Sequence, residues 1–237
     1  MYKRQILTLR ETDTTAAADL DEALSEDPNH IGALAAFAEL SYRLQDWAEA
    51  RGAYDALAAK DDTSSVVNPV VLAFRRAELA EMFGEEVAAE ASYRKVLEFD
   101  SQHVAAREAL AQFAFLREDH DAVVKLLTPA LQALPAEASG RRVQLQERIG
   151  ECLLALDDAA LARTYLGDAM RLEPTRLSAL QRLTQATEML GDHATAALLW
   201  NRLSRLYTLP RERARALFRE GELRRIFLQD VTAAMDA

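Results

Sequence analysis

VAAREALAQFAFLREDHDAVVKLLTPALQALP (104–135), VQLQERIGECLLALDDAALARTYLGDAMRLEP (143–174) and LSALQRLTQATEMLGDHATAALLWNRLSRLYT (177–208) are three copies of one pattern. An acid opens the central turn each time: Asp119, Asp158, Asp192. Four residues on, a small side chain (Val123, Ala162, Ala196) lets a second helix press against the first. Four further on, a large one (Leu127, Leu166, Trp200) fills the gap between them. Ala130, Ala169 and Leu203 follow, and Pro135 and Pro174 end two of the three copies. Within each copy apolar residues recur at helical spacing, as in Ile149, Cys152, Leu153 and Leu156. A small-then-large spacing that recurs at a fixed period predicts stacked helix pairs, each burying a face it cannot bury alone.

The pattern extends in both directions. With slot 1 of the repeat at Ile31, Val70, Val104, Val143 and Leu177, slot 20 reads Ala50, Ala89, Val123, Ala162, Ala196 and slot 24 reads Tyr54, Tyr93, Leu127, Leu166, Trp200. A small residue, three others, a bulky one and a terminal Pro resemble the tetratricopeptide repeat. Its Leu-Gly pair at slots 7 and 8 is matched well by Ile149-Gly150 and approximately by Phe37-Ala38, whereas Arg76-Ala77 departs from it. The resemblance implies an all-α, right-handed superhelix of antiparallel helix pairs. It divides the chain into a partial repeat 1–30, repeats 31–64, 70–103, 104–137, 143–176 and 177–210, and a partial repeat 214–237. First helices are expected near Ile31, Val70, Val104, Val143 and Leu177, second helices near Trp47, Glu86, Asp119, Asp158 and His193. Two inserts, DDTSSVVNP (61–69) and AEASGRR (136–142), read as lengthened loops or helix extensions. Both terminal repeats look cut, so the chain is read as a piece of a longer protein.

Composition supports helices throughout. Eight Gly and six Pro leave few breakers, and the chain is rich in Ala, Leu, Glu and Arg, which are strong helix formers. No run approaches the length of an apolar membrane span, and the first residues lack the apolar core of a signal peptide. Cys152, the single cysteine, excludes an intrachain disulfide and points to a reducing compartment, so a cytoplasmic location is expected, with a periplasmic one open if the true start is missing. The net charge of −10 is unevenly spread: residues 11–100 hold 20 acids against 7 bases, while residues 200–225 carry eight arginines against Glu212, Glu220 and Glu222. Such an arginine cluster suits either a solvated helix face or a docking patch for an acidic segment. Nucleic-acid binding fits poorly, because the whole is acidic and no aromatics are interleaved with the arginines.

The residues do not assemble into a catalytic constellation. His120 and His193 both fill slot 17, His30 and His103 both fill slot 34, and equal slots two repeats apart do not converge on a metal. Phosphate loops, nucleophile elbows and metalloprotease motifs are missing. Trp47 and Trp200 fill packing slots. No cofactor or metal is expected, and the chain is not read as an enzyme.

The resemblance further implies a concave groove lined by first helices at slots 2, 5, 6, 9, 12 and 13. Carried over slot by slot, this names Glu39 and Tyr42, then Phe74, Arg75 and Glu78, then Gln112 and Phe115, then Arg148 and Glu151, then Arg182, Gln185 and Met189. Slot 9 is polar in all five repeats (Glu39, Glu78, Gln112, Glu151, Gln185), where a core position would be apolar. The slot 6 arginines Arg75, Arg148 and Arg182 are placed to pair with slot 9 acids at i,i+3 or to bind a ligand carboxylate through both prongs. As exposed charges Arg148 and Arg182 are expected to contribute little to stability. The Lys/Asn pairing of a chaperone-tail clamp is missing, since slots 5 and 9 of the first full repeat are Ala35 and Glu39. The expected function is a non-catalytic scaffold that binds a peptide or helix of another protein, with self-association through open ends as a further mode. The alternatives are a recruiting region of a larger enzyme, as in glycosyltransferases, and a structural module of a secretion or envelope assembly.

Overall fold

A computed structural model describes residues 15–16, 19–60 and 66–227 of the chain. The outer ends of both partial repeats and most of the first insert lie outside the described residues. Among the described residues all regular structure is helical. The helices are α1, which includes residues 19–26, then α2 (Ile31–Leu44), α3 (Trp47–Ala58), α4 (Pro69–Met82), α5 (Glu86–Phe99), α6 (Val104–Leu116), α7 (His120–Ala133), α8 (Ser139–Ala155), α9 (Ala159–Leu172), α10 (Leu177–Met189), α11 (His193–Leu206) and α12 (Pro210–Phe227). The fold is all-α, as expected.

Each turn within a helix pair is built the same way. Slot 15 adopts the left-handed backbone in all five: Gln45 (φ 66°), Gly84 (75°), Glu118 (58°), Asp157 (60°) and Gly191 (71°). That one residue ends the first helix and reverses the chain, a conformation that costs glycine nothing. In three of the five pairs the acid at slot 16 then caps the second helix, while Asp46 makes no side-chain cap bond. Asp119, Asp158 and Asp192 accept hydrogen bonds from the backbone N–H groups of Ala122, Leu161 and Thr195 at 3.0–3.1 Å. Glu85, at the same slot, makes no cap bond and instead takes both prongs of Arg51 at 2.7–2.8 Å. Two of the four histidines are also caps: the imidazole Nδ1 of His30 and of His103 accepts from the N–H of Ala33 and of Ala106.

The chain divides into two compact units, Met1–Ala106 and Arg107–Ala237, with the boundary inside α6. In the first, α2 packs on α3, α3 on α4 and α4 on α5. Its core includes Leu34, Ala38, Ala50, Tyr54, Leu57, Leu72 and Leu79. In the second, each helix from α7 to α12 packs on the next, and α8 also touches α10. Its core includes Val143, Ala169, Met170, Ala179, Leu180, Leu203 and Ala216. The small slot sets the closeness of each crossing: Ala50, Ala89, Val123, Ala162 and Ala196 have no exposed surface. Gly150 shows why a glycine sits at slot 8 there, since an added Cβ would lie 2.5 Å from Leu166 Cγ.

Three features depart from the simple pattern, each for a visible reason. The helix α8 starts at Ser139, four residues before slot 1, so the second insert is in part a helix extension. Arg142 in that extension donates to the carbonyls of Leu131 and Leu134 at the end of α7, and Arg141 pairs with Glu108. Arg76, the misfit at slot 7, turns outward and its Nε donates to Asp55 at 2.8 Å, leaving α4 intact around buried Ala77. Pro129 lies inside α7, where its ring removes one helical hydrogen bond, and the burial of Leu127, Ala130 and Leu131 holds the helix through it.

Candidate interaction surface

Slots 5, 6, 9 and 12 share one side of each first helix, and in both units these slots are organised by an arginine at slot 6. In the first unit the guanidinium of Arg75 lies 3.9 Å from the ring centroid of Tyr42, the slot 12 residue of the preceding repeat. Its two prongs reach Glu78 on its own helix at 3.1 Å and Glu39 on α2 at 3.5 Å. Both acids are held again from behind: the Tyr42 hydroxyl donates to Glu78 at 2.9 Å and the Tyr54 hydroxyl donates to Glu39 at 2.8 Å. Burial and the adjoining carboxylates push both phenols above their ordinary range, so they remain neutral donors. Phe74 stacks edge-on against Tyr93 at 5.7 Å and lies 4.8 Å from His103. Thus Glu39, Tyr42, Arg75 and Glu78 form one network paired within itself, apart from the Arg75 Nε, which is buried without a hydrogen-bond partner.

The second unit repeats the motif with different partners. Arg148 lies 3.9 Å over Phe115, again a slot 6 arginine on a slot 12 aromatic. Arg182 has Leu154 at the corresponding place and turns to carboxylates instead, reaching Glu147 at 2.6 Å and Glu151 at 2.9 Å. Glu147 is only 8 % exposed and also takes Arg176 at 2.5 Å. Burial raises its carboxyl pKa, but hydrogen bonds from Ser178 and Arg176 and the charges of Arg176 and Arg182 outweigh burial and hold it below the usual carboxylate range. Arg182 therefore neutralises a buried charge, which corrects the expectation that it is a dispensable surface group.

One member of the series was missed. Arg219 on α12 occupies slot 6 of the partial repeat 214–237 and pairs with Glu222, at slot 9, at 3.2 Å and with Glu188 on α10 at 2.9 Å. Exposed Phe218 fills slot 5 beside it. The signal was available, since extending the same slots to the last repeat selects these three residues. A second regularity links slots 24 and 12. Where slot 24 is Tyr93 or Trp200, its polar tip donates to a slot 12 acid, Glu81 at 2.8 Å or Glu188 at 2.9 Å. Where slot 24 is Leu127 or Leu166, slot 12 is Phe115 or Leu154.

The space between α6, α7, α8 and α10 is a depression of about 730 Å³ whose walls include Gln112, Phe115, Leu127, Gln144, Arg148, Glu151 and Arg182. A smaller one of about 430 Å³ between α10, α11 and α12 is walled by Gln181, Gln185, Glu188, Trp200, Tyr207, Glu212 and Arg215. Met189 stands 45 % exposed at the end of α10. The second unit thus brings Gln112, Phe115, Arg148, Glu151 and Arg182 to one depression and Gln185 to the next. Among the described residues no group of His, Cys, Asp or Glu is arranged to hold a metal ion. Nor is any helix among them long and apolar enough to cross a membrane.

A family model for the tetratricopeptide repeat matches residues 14–68. That stretch is a tetratricopeptide-repeat segment, and the later repeats are helix pairs of the same kind. Solved structures of similar fold superpose on the chain. YrrB, described as a tetratricopeptide-repeat protein with an unusual peptide-binding site, is 20 % identical with a TM-score of 0.56, covering 70 % of this chain and 81 % of that one. MamA is 16 % identical with a TM-score of 0.52, covering 73 % and 92 %. PilF of Pseudomonas aeruginosa is 16 % identical with a TM-score of 0.50, covering 92 % and 90 %. At these identities the likeness shows the fold alone. No curated protein matches the sequence.

Proposed function

We propose that this chain is a non-catalytic scaffold whose second unit binds a segment of a partner protein along the first-helix face of α6, α8, α10 and α12. The observation that carries this reading is the open depression between α6, α8 and α10, whose rim presents amides, an aromatic ring and guanidinium groups rather than a closed core. Gln112, Gln144 and Gln185 are exposed. An amide both donates and accepts, so it can bridge to the backbone of a peptide without regard to its sequence. Phe115 and Met189 supply apolar contact beside them. In the first unit Glu39, Tyr42, Arg75 and Glu78 are paired with one another and Phe74 packs against Tyr93, so the reading places binding in the second unit. That YrrB is described as having a peptide-binding site agrees with the reading.

The test uses the full chain and a peptide selected for binding from a random decapeptide display library. Replacing Gln112, Gln144 and Gln185 together by Ala should weaken binding at least tenfold and leave the melting temperature unchanged. Replacing exposed Leu198 on α11, which lies outside both depressions, by Ser should leave binding unchanged. The reverse outcome would move the binding surface to the second helices.

A further inference from the structure

The geometry points to Arg148, stacked on Phe115, as the anchor for an acidic side chain of the bound peptide, a Glu or Asp within an extended segment of another protein. This rests on the binding surface proposed above and names the chemistry of its occupant. The two units supply the comparison. Arg75 on Tyr42 and Arg148 on Phe115 are the same construction, a guanidinium 3.9 Å above a slot 12 ring. In the first unit that guanidinium is filled from two sides, by Glu78 and by Glu39. In the second unit the residue matching Glu39 is Gln112, which brings no charge. The residue matching Glu78 is Glu151, and it is shared: it lies 2.9 Å from Arg182 and makes a longer ion pair with Arg148 at 3.6 Å. Two tethers of the first unit are missing as well. Phe115 lacks the hydroxyl by which Tyr42 tethers Glu78, and Leu127 lacks the hydroxyl by which Tyr54 tethers Glu39. The first unit therefore shows where a second carboxylate sits on this construction, and in the second unit Gln112 leaves that place without one.

Charge bookkeeping inside the depression agrees. Its walls carry Arg141, Arg148, Arg176 and Arg182 against Glu108, Glu147 and Glu151. Arg141 is matched with Glu108, Arg176 with Glu147, and Arg182 with Glu147 and Glu151. The least-matched cation is Arg148, which shares Glu151 with Arg182 through the longer ion pair at 3.6 Å and whose side chain is 39 % exposed. A guanidinium held flat on an aromatic ring keeps its planar fork in one orientation, so little freedom is lost when a carboxylate docks on it through both prongs. The flanking amides of Gln112 and Gln144 then meet the peptide backbone on either side.

The experiment takes the peptide selected from the decapeptide library, synthesised with both ends blocked so that only side chains carry charge, and a twin in which its acidic residue is replaced by the matching amide. Both are titrated by fluorescence anisotropy against the full chain, Arg148→Gln and Arg148→Lys. The expected result is that selected peptides share an acid at one position. The twin should bind the unaltered chain at least tenfold more weakly, and the two peptides should bind Arg148→Gln equally. Arg148→Lys should recover only part of the difference, since it keeps the charge and loses the planar stack. If the twin binds the unaltered chain as well as the parent while Gln112 and Gln185 substitutions still weaken both, the anchor is refuted and the surface stands. If no peptide is selected, or binding ignores those substitutions, both fall. If instead the chain sediments as a dimer that Arg148→Gln dissociates, the occupant is a second copy and the inference is overturned.

Discussion

Gly150 and Leu166 meet so closely that a single methyl group tests the packing between slots 8 and 24. Gly150→Ala should cost about 1–3 kcal/mol in denaturant unfolding, because the added carbon must push Leu166 away from a helix crossing that has no room to give. Ala162→Leu, at a residue without exposed surface, should cost a similar amount by the same mechanism. The opposite sign is expected at Glu118 and Asp157, whose left-handed backbones strain an ordinary side chain. Replacing either by Gly should raise stability by several tenths to about 1 kcal/mol, and a decrease in the denaturant midpoint would refute the strain. Cys152 is fully buried and its thiol pKa is pushed up to about 11, chiefly by burial, so alkylation at neutral pH should follow unfolding and not precede it. At this scale the small and bulky slots could be read from the sequence because their sizes recur. The left-handed positions could not, since only Gly84 and Gly191 among the five carry the residue that announces them.

Between helices, the slot 6 arginines act as staples, and their worth depends on what they hold. Arg182 neutralises Glu147, so Arg182→Ala should cost about 1.5–3 kcal/mol, well above an exposed pair, even though Arg176 remains as a partner. The pH dependence follows from the sign of the shift. The Glu147 carboxyl has a folded pKa below its ordinary value of 4.5, so its contribution is complete above about pH 4.5 and is lost as pH falls through the lower folded value. The stability difference between the unaltered chain and Glu147→Gln should therefore shrink as pH is lowered below that point, and a difference that stays constant would show that the network does not favour the ionised form. The sequence carried the helix positions closely because caps, turns and periodicity agree from repeat to repeat. It did not carry the side-chain partners. Whether Arg148 and Arg182 face solvent or carboxylate depends on Phe115, Leu154 and Glu147 of the neighbouring repeat, which a slot-by-slot reading treats one helix at a time.

Across the whole molecule charge is unevenly divided along the chain. The acids concentrate in residues 11–100, and the arginines of residues 200–225 are divided in use. Arg202, Arg213, Arg219 and Arg224 are engaged with backbone carbonyls or glutamates, whereas Arg205, Arg211, Arg215 and Arg225 are exposed. That residual positive surface on α11 and α12 is the competitor to the depression between α6, α8 and α10 as the place where a partner docks, and it would be the more sensitive of the two to salt, since screening acts over about 8–10 Å between exposed charges. Site-specific photocrosslinking separates them directly. A photoreactive phenylalanine analogue is placed, one at a time, at Gln112, Gln185, Arg211 and Leu198 in the full chain, and each version is irradiated with the selected peptide. The account predicts adducts from positions 112 and 185 and none from 211 or 198. Adducts confined to 211 or 198 would contradict it.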